Sequence, residues 1–136
     1  MKFMSWFVRG AGIYNASAVI AFLTPGALSS LGVAVPASPF WVWLPALLGL
    51  FGGIVLFISA SDLETYGSLP YWNGLIRLVF VVAAFSLDFG ATAGGFVRLL
   101  ALGDLPLALG CLVGLPRVLE RTHVQMLANQ RSRLRA

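Results

Sequence analysis

Five residues stand out as polar groups set in or beside apolar stretches: Tyr14, Asn15, Asp62, Asn73 and Arg77. A guanidinium is a permanent cation with a planar fork of donors, suited to a carboxylate or another oxygen-bearing group. Amide and phenol side chains add neutral hydrogen bonds, so together such residues could hold the polar end of a lipophilic molecule such as a quinone or a lipid. Arg77 follows Pro70 by seven residues, about 10 Å along a helix at 1.5 Å per residue. A charge at that depth needs a partner or water. At about 100° per residue, Asn73, Arg77, Ala84 and Asp88 share a narrow face. Asp62, Glu64 and Asn15 are the candidate partners. Two roles stay open for Arg77: an anchor that snorkels to the interface or pins the 59 to 69 loop, and a ligand contact. For Asn15, an interhelical hydrogen bond is the expected use.

Other chemistry finds little footing. Cys111 stands alone in an apolar stretch and His123 is the sole histidine, so neither has partners at metal-ligand spacing. The five carboxylates form no metal cluster pattern, and glycine-rich phosphate loops and nucleophile elbows are missing. The expectation is a non-enzyme with no catalytic residue, no metal and no assigned cofactor, a quinone or lipid being the compatible ligand.

The elements that must position these residues follow from composition. Of 136 residues, 59% are hydrophobic and only 10% charged, with a mean hydropathy of +0.89. A water-soluble domain carries about 25% charged residues, so the expected solvent is lipid. Gly10 to Ser61 is a run of 52 residues without a charge, long enough for two crossings at roughly 20 residues each. Its beginning, with Lys2 and Arg9 ahead of apolar residues, imitates a signal peptide, but the apolar region continues too far and reads as an uncleaved first helix. The expected fold is an all-α, single-domain, four-transmembrane-helix bundle over residues 1 to 136. Its spans are placed at about 4 to 23, 40 to 58, 70 to 88 and 105 to 119, with a short interfacial helix near Ala27 to Leu31 and a basic C-terminal helix over 117 to 136. Asp104 serves as an N-cap for the fourth span, with Pro106 in its first turn.

Two glycine pairs, Gly49 with Gly53 and Gly110 with Gly114, have the GxxxG spacing that lets helices approach closely, within one chain or between two. On a continuous tail helix Arg117, Arg121, Arg131 and Arg135 share one face, suited to an anionic membrane surface. No nucleic-acid-binding fold is recognisable, and nucleic acid is not an expected partner.

Tyr14 with Asn15, Pro25 followed by Leu31 and Gly32, Asp62 with Tyr66, Arg77, and Gly103 with Asp104 resemble the pattern of small bacterial four-helix membrane proteins described as DoxX-like. The resemblance covers Gly10 to Leu119. DoxX is associated with a quinone-linked sulfur-oxidising complex, so the resemblance implies an accessory role beside a redox enzyme. The expected function is a non-catalytic membrane subunit that stabilises or assembles a larger bacterial complex, respiratory or photosynthetic. The expected partners are lipids with other membrane subunits or a second copy. A stand-alone binder or transporter of a lipophilic molecule is the alternative.

Four crossings put Lys2, Arg9, Arg77, Arg117, Arg121, Arg131, Arg133 and Arg135 on one side and Arg98 alone on the other. The positive-inside rule then predicts a bacterial inner-membrane protein with both termini cytoplasmic. Cysteine probes at Ser38 and Gly67 are expected to react from opposite faces of intact cells; reaction of both from one face rejects this topology.

Overall fold

A computed structural model describes residues 1–91 and 93–130. The described residues are helical and turn, without strands. Four helical stretches are long and apolar enough to cross a membrane: Lys2–Leu23, Phe40–Ser59, Ser68–Ser86 and Gly94–Leu119.

The first comprises α1 (Lys2–Ala16) and α2 (Ala18–Leu23). They meet at Ser17, whose hydroxyl donates to the Tyr14 carbonyl at 2.6 Å, a local bond that competes with regular helix. Thr24, Pro25 and Gly26 end the stretch. Gly26 takes φ +80°, a left-handed turn that glycine makes without a Cβ penalty, and α3 (Ala27–Ser30) follows. In α4 (Phe40–Ser59) Pro45 lies in the second turn. Its missing N–H leaves only one early carbonyl without a helical partner.

Asp62 caps α5 (Leu63–Tyr66), accepting from the Thr65 N–H at 3.1 Å. The next helix, α6 (Ser68–Ser86), begins before Pro70 because a first-turn proline has no N–H to waste. Asp88 falls beyond its end, exposed, with its carboxylate accepting from the Gly90 N–H at 2.8 Å. It therefore does not join the polar face of Asn73 and Arg77.

The fourth stretch departs most from expectation. Rather than starting at 105 with Asp104 as its cap, it starts at Gly94: α7 (Gly94–Leu109), a π-helical turn (Gly110–Gly114) and α8 (Leu115–Leu119) run on without a break. Asp104 is a mid-helix residue. The π turn lies just before Pro116, which cannot donate to a carbonyl of the preceding turn, so the wider hydrogen-bond loop and the proline fall together.

The basic tail does not continue as one helix. Glu120 takes a left-handed conformation at φ 52°, and the chain turns into α9 (His123–Leu127), started by a capping box between Thr122 and Gln125. This reversal removes the expected alignment of Arg117 with Arg121. Arg117 is exposed, whereas Arg121 is buried and donates to the Glu64 carbonyl at 2.5 Å. Arg131 and Arg135 lie outside the described residues.

Packing pairs α1 and α2 with α4, and α6 with α7 and the π turn, while α4 also meets α6. In the most apolar part of α6, 39% of residues are buried, against 17–22% in the other three stretches, so α6 is the central helix. One core joins Met4, Val8 and Leu56 to Tyr71, Leu115 and Met126, and a smaller one holds Val81, Ala84 and Ala101. Both glycine pairs face α1. A Cβ at Gly49 would meet the Asn15 carbonyl oxygen at 2.7 Å, and one at Gly53 the Gly12 carbonyl oxygen at 2.6 Å. Gly110 gives way to the Phe7 ring and Gly114 to the Met4 sulfur.

Gly67 is buried against Leu119, so Ser61, which is exposed, is the better probe of its loop; buried Cys111 contributes no background labelling. Gly53→Leu should destabilise the chain by about 1–3 kcal/mol or more, because backbone atoms cannot yield. Gly10→Ala, with nothing within 4 Å of the new Cβ, should be neutral. Thermal unfolding of both variants in one detergent checks this; equal melting would reject the close approach of α1 and α4.

Candidate functional site

Arg77 lies on the central helix and is 5% exposed. Its position one helical turn after Asn73 lets Nε donate to Asn73 Oδ1 at 2.8 Å. Nη1 pairs with the Asp104 carboxylate of α7, and Nη2 donates to Asn15 Oδ1 of α1. The guanidinium carbon lies 5.3 Å from the centre of the Tyr14 ring, within cation–π range. Each guanidinium nitrogen thus has a different partner, and one side chain ties three of the four long helices together.

Glycines make room for the partners. Gly103 leaves space for the Tyr14 hydroxyl, which would stand 2.9 Å from a Cβ there. Gly52 likewise admits the Asn15 amide, whose Nδ2 would lie 3.0 Å from a Cβ. Through that notch α4 borders the cluster without supplying a polar group to Arg77.

Tyr14, Asn15, Asn73 and Arg77 therefore come together, and Asp62 does not, being at the cap of α5. The residue that sequence reasoning assigned elsewhere is Asp104. Its signal was present: an acid inside an apolar stretch of 26 residues needs a cation to pair with, and Arg77 is a buried cation on the adjacent helix.

The chemical capacity of this arrangement is narrow. The carboxylate neutralises the guanidinium, the two amide oxygens occupy its other nitrogens, and the aromatic face covers it. A bound anion would have to displace one of these partners. Among the described residues, no three His, Cys, Asp or Glu side chains gather as metal ligands.

A second polar group locks the C-terminal segment. The Tyr71 hydroxyl and His123 Nδ1 are 2.8 Å apart, and Trp72 Nε1 donates to the Leu127 carbonyl at 3.1 Å. With the Arg121 to Glu64 bond, these contacts fold α9 against the start of α6. No protein-family model, curated protein or solved structure matches the chain.

Arg77→Leu strands a carboxylate that is only 13% exposed, and Asp104→Leu strands a buried guanidinium; each should cost about 3–5 kcal/mol. The double variant should lose less than the sum, since neither charge remains alone. Arg77→Lys should rescue only part, because an ammonium cannot reach three helices in the guanidinium geometry. Thermal melting in one detergent supplies the cycle; strictly additive losses would reject the pair.

Proposed function

We propose that this chain is a non-catalytic, multi-pass subunit of the bacterial inner membrane, with both termini cytoplasmic, that works by packing against a larger membrane complex. The observation that supports it most is the connection between α3 and α4. Residues 34 to 38 are non-helical, and the N–H groups of Ala34, Val35, Ala37 and Ser38 have no intramolecular acceptor among the described residues. The segment nevertheless carries no charge, and Val35 is 61% exposed. Unpaired backbone is expensive in hydrocarbon, while apolar side chains gain nothing in water. A partner protein at the membrane boundary satisfies both, burying the side chains and offering carbonyls to the free N–H groups.

The polar cluster supports the same reading. Arg77 and its partners are engaged with one another, which suits a scaffold more than a site that exchanges ligands. A respiratory or photosynthetic assembly fits the accessory role implied by the DoxX-like resemblance.

Extraction of the tagged chain in mild detergent, followed by mass spectrometry, is expected to recover stoichiometric membrane-protein partners. Val35→Asp should abolish their recovery while changing the stability of the isolated chain by no more than about 0.5 kcal/mol, as for other exposed positions. Recovery of the wild-type chain without any partner would sink the subunit reading.

A further inference from the structure

A groove of about 220 Å³ runs along the outer side of the α1–α4 contact, lined by Gly12, Ile13, Ala16, Gly53, Ile54, Phe57 and Ile58. Its floor is low because Gly12 and Gly53 bring the helix backbones together, and its walls are the exposed side chains of Ile13, Ile54, Phe57 and Ile58. Every lining side chain is apolar.

One end of the groove is charged. The Arg9 guanidinium carbon lies 5.7 Å from the Phe57 ring centre and 5.0 Å from that of Trp6. Arg9 makes no ion pair or hydrogen bond to the described residues, and its Nε is buried without a partner. Lys2 precedes it by seven residues, two helical turns, and shares its face at about 100° per residue. Ala16 lies seven residues the other way, about 10 Å further along the helix, at the end of α1. Lys2, Trp6 and Arg9 thus precede the apolar channel along one helix face, two cations flanking a tryptophan of the kind found at interfaces. An amphiphile with an anionic head and a hydrocarbon tail has that same order.

We propose that this face binds one anionic phospholipid, its phosphate against Arg9 with Lys2 beyond, and one acyl chain lying in the groove between α1 and α4. The site rests on the reading that the chain spans a membrane and is independent of any protein partner. It is also separate from the Arg77 cluster, which faces the interior of the bundle.

The test uses the full chain in nanodiscs of equal parts phosphatidylglycerol and phosphatidylcholine, with native mass spectrometry counting the lipids that stay bound on release. The wild-type chain is expected to keep one phosphatidylglycerol in preference to phosphatidylcholine. Arg9→Gln should lower that preference about fivefold, the effect of one arginine at an anionic surface, and Arg98→Gln, at an exposed position assigned to the opposite side, should leave it unchanged. Ile13→Trp, at a position 63% exposed, should reduce retention of both lipids by filling the groove while melting stays at the wild-type value. Equal retention of the two lipids by the wild-type chain, an unchanged ratio in Arg9→Gln, or undiminished retention in Ile13→Trp would each overturn the site. A chain that fails to enter the bilayer overturns the membrane reading itself, an outcome distinct from insertion without lipid preference.

Discussion

The Arg77 guanidinium sets the arrangement of the long helices. Its three nitrogens point to three different oxygens on α1, α6 and α7, so none of these helices can rotate or slide without breaking a charge-assisted bond. Hydrophobic contacts alone would not impose such a constraint where the surroundings are equally apolar. Directional bonds therefore choose among packings that apolar area would leave nearly equivalent. Asp104 is the partner that makes the choice costly to reverse, because either charge alone would be buried without compensation.

Small residues then determine how closely the chosen helices approach. Gly12, Gly49 and Gly53 let α1 and α4 touch through backbone atoms, and Gly103 and Gly110 admit the Tyr14 and Phe7 rings from the same helix. Close approach and the polar tie depend on each other: Asn15 reaches Arg77 from beside the glycine notch, and a wider helix separation would carry its amide away. The Ser5 hydroxyl, which donates to the Ala60 carbonyl, holds the same pair of helices together where α1 starts and α4 ends.

Much of this architecture is legible in the sequence because hydrophobicity is additive along a helix. The first three stretches were expected at 4 to 23, 40 to 58 and 70 to 88, and run at Lys2–Leu23, Phe40–Ser59 and Ser68–Ser86. The fourth was misplaced at its start for a physical reason. Arg98, Gly103 and Asp104 each weaken a local hydrophobic pattern, yet an acid whose charge is met by a distant arginine need not end a helix. Asn73 and Arg77 could be grouped by helical periodicity, and Asn15, on another helix, is a candidate partner from its mid-span position alone. The partnership with Asp104 joins residues 27 apart on adjacent helices, and periodicity carries no information across that distance. The same limit hid the reversal at Glu120: a single left-handed residue turned the continuous tail helix into a folded latch held by Tyr71 and Trp72.

The separation of Arg77 from Asp104 also has a meaning in time. At roughly 5–20 residues per second of synthesis, the arginine emerges about 1–5 s before the carboxylate that neutralises it. During that interval Asn73 and Asn15 are its available neutral partners, and α6 carries a net positive charge. In the proposed membrane this favours keeping the nascent third helix near the aqueous or protein-lined insertion path until the fourth arrives, so that the two enter lipid as a pair. The order of the chain thus makes completion of the bundle, rather than the apolarity of α6 alone, the event that commits the arginine to the interior.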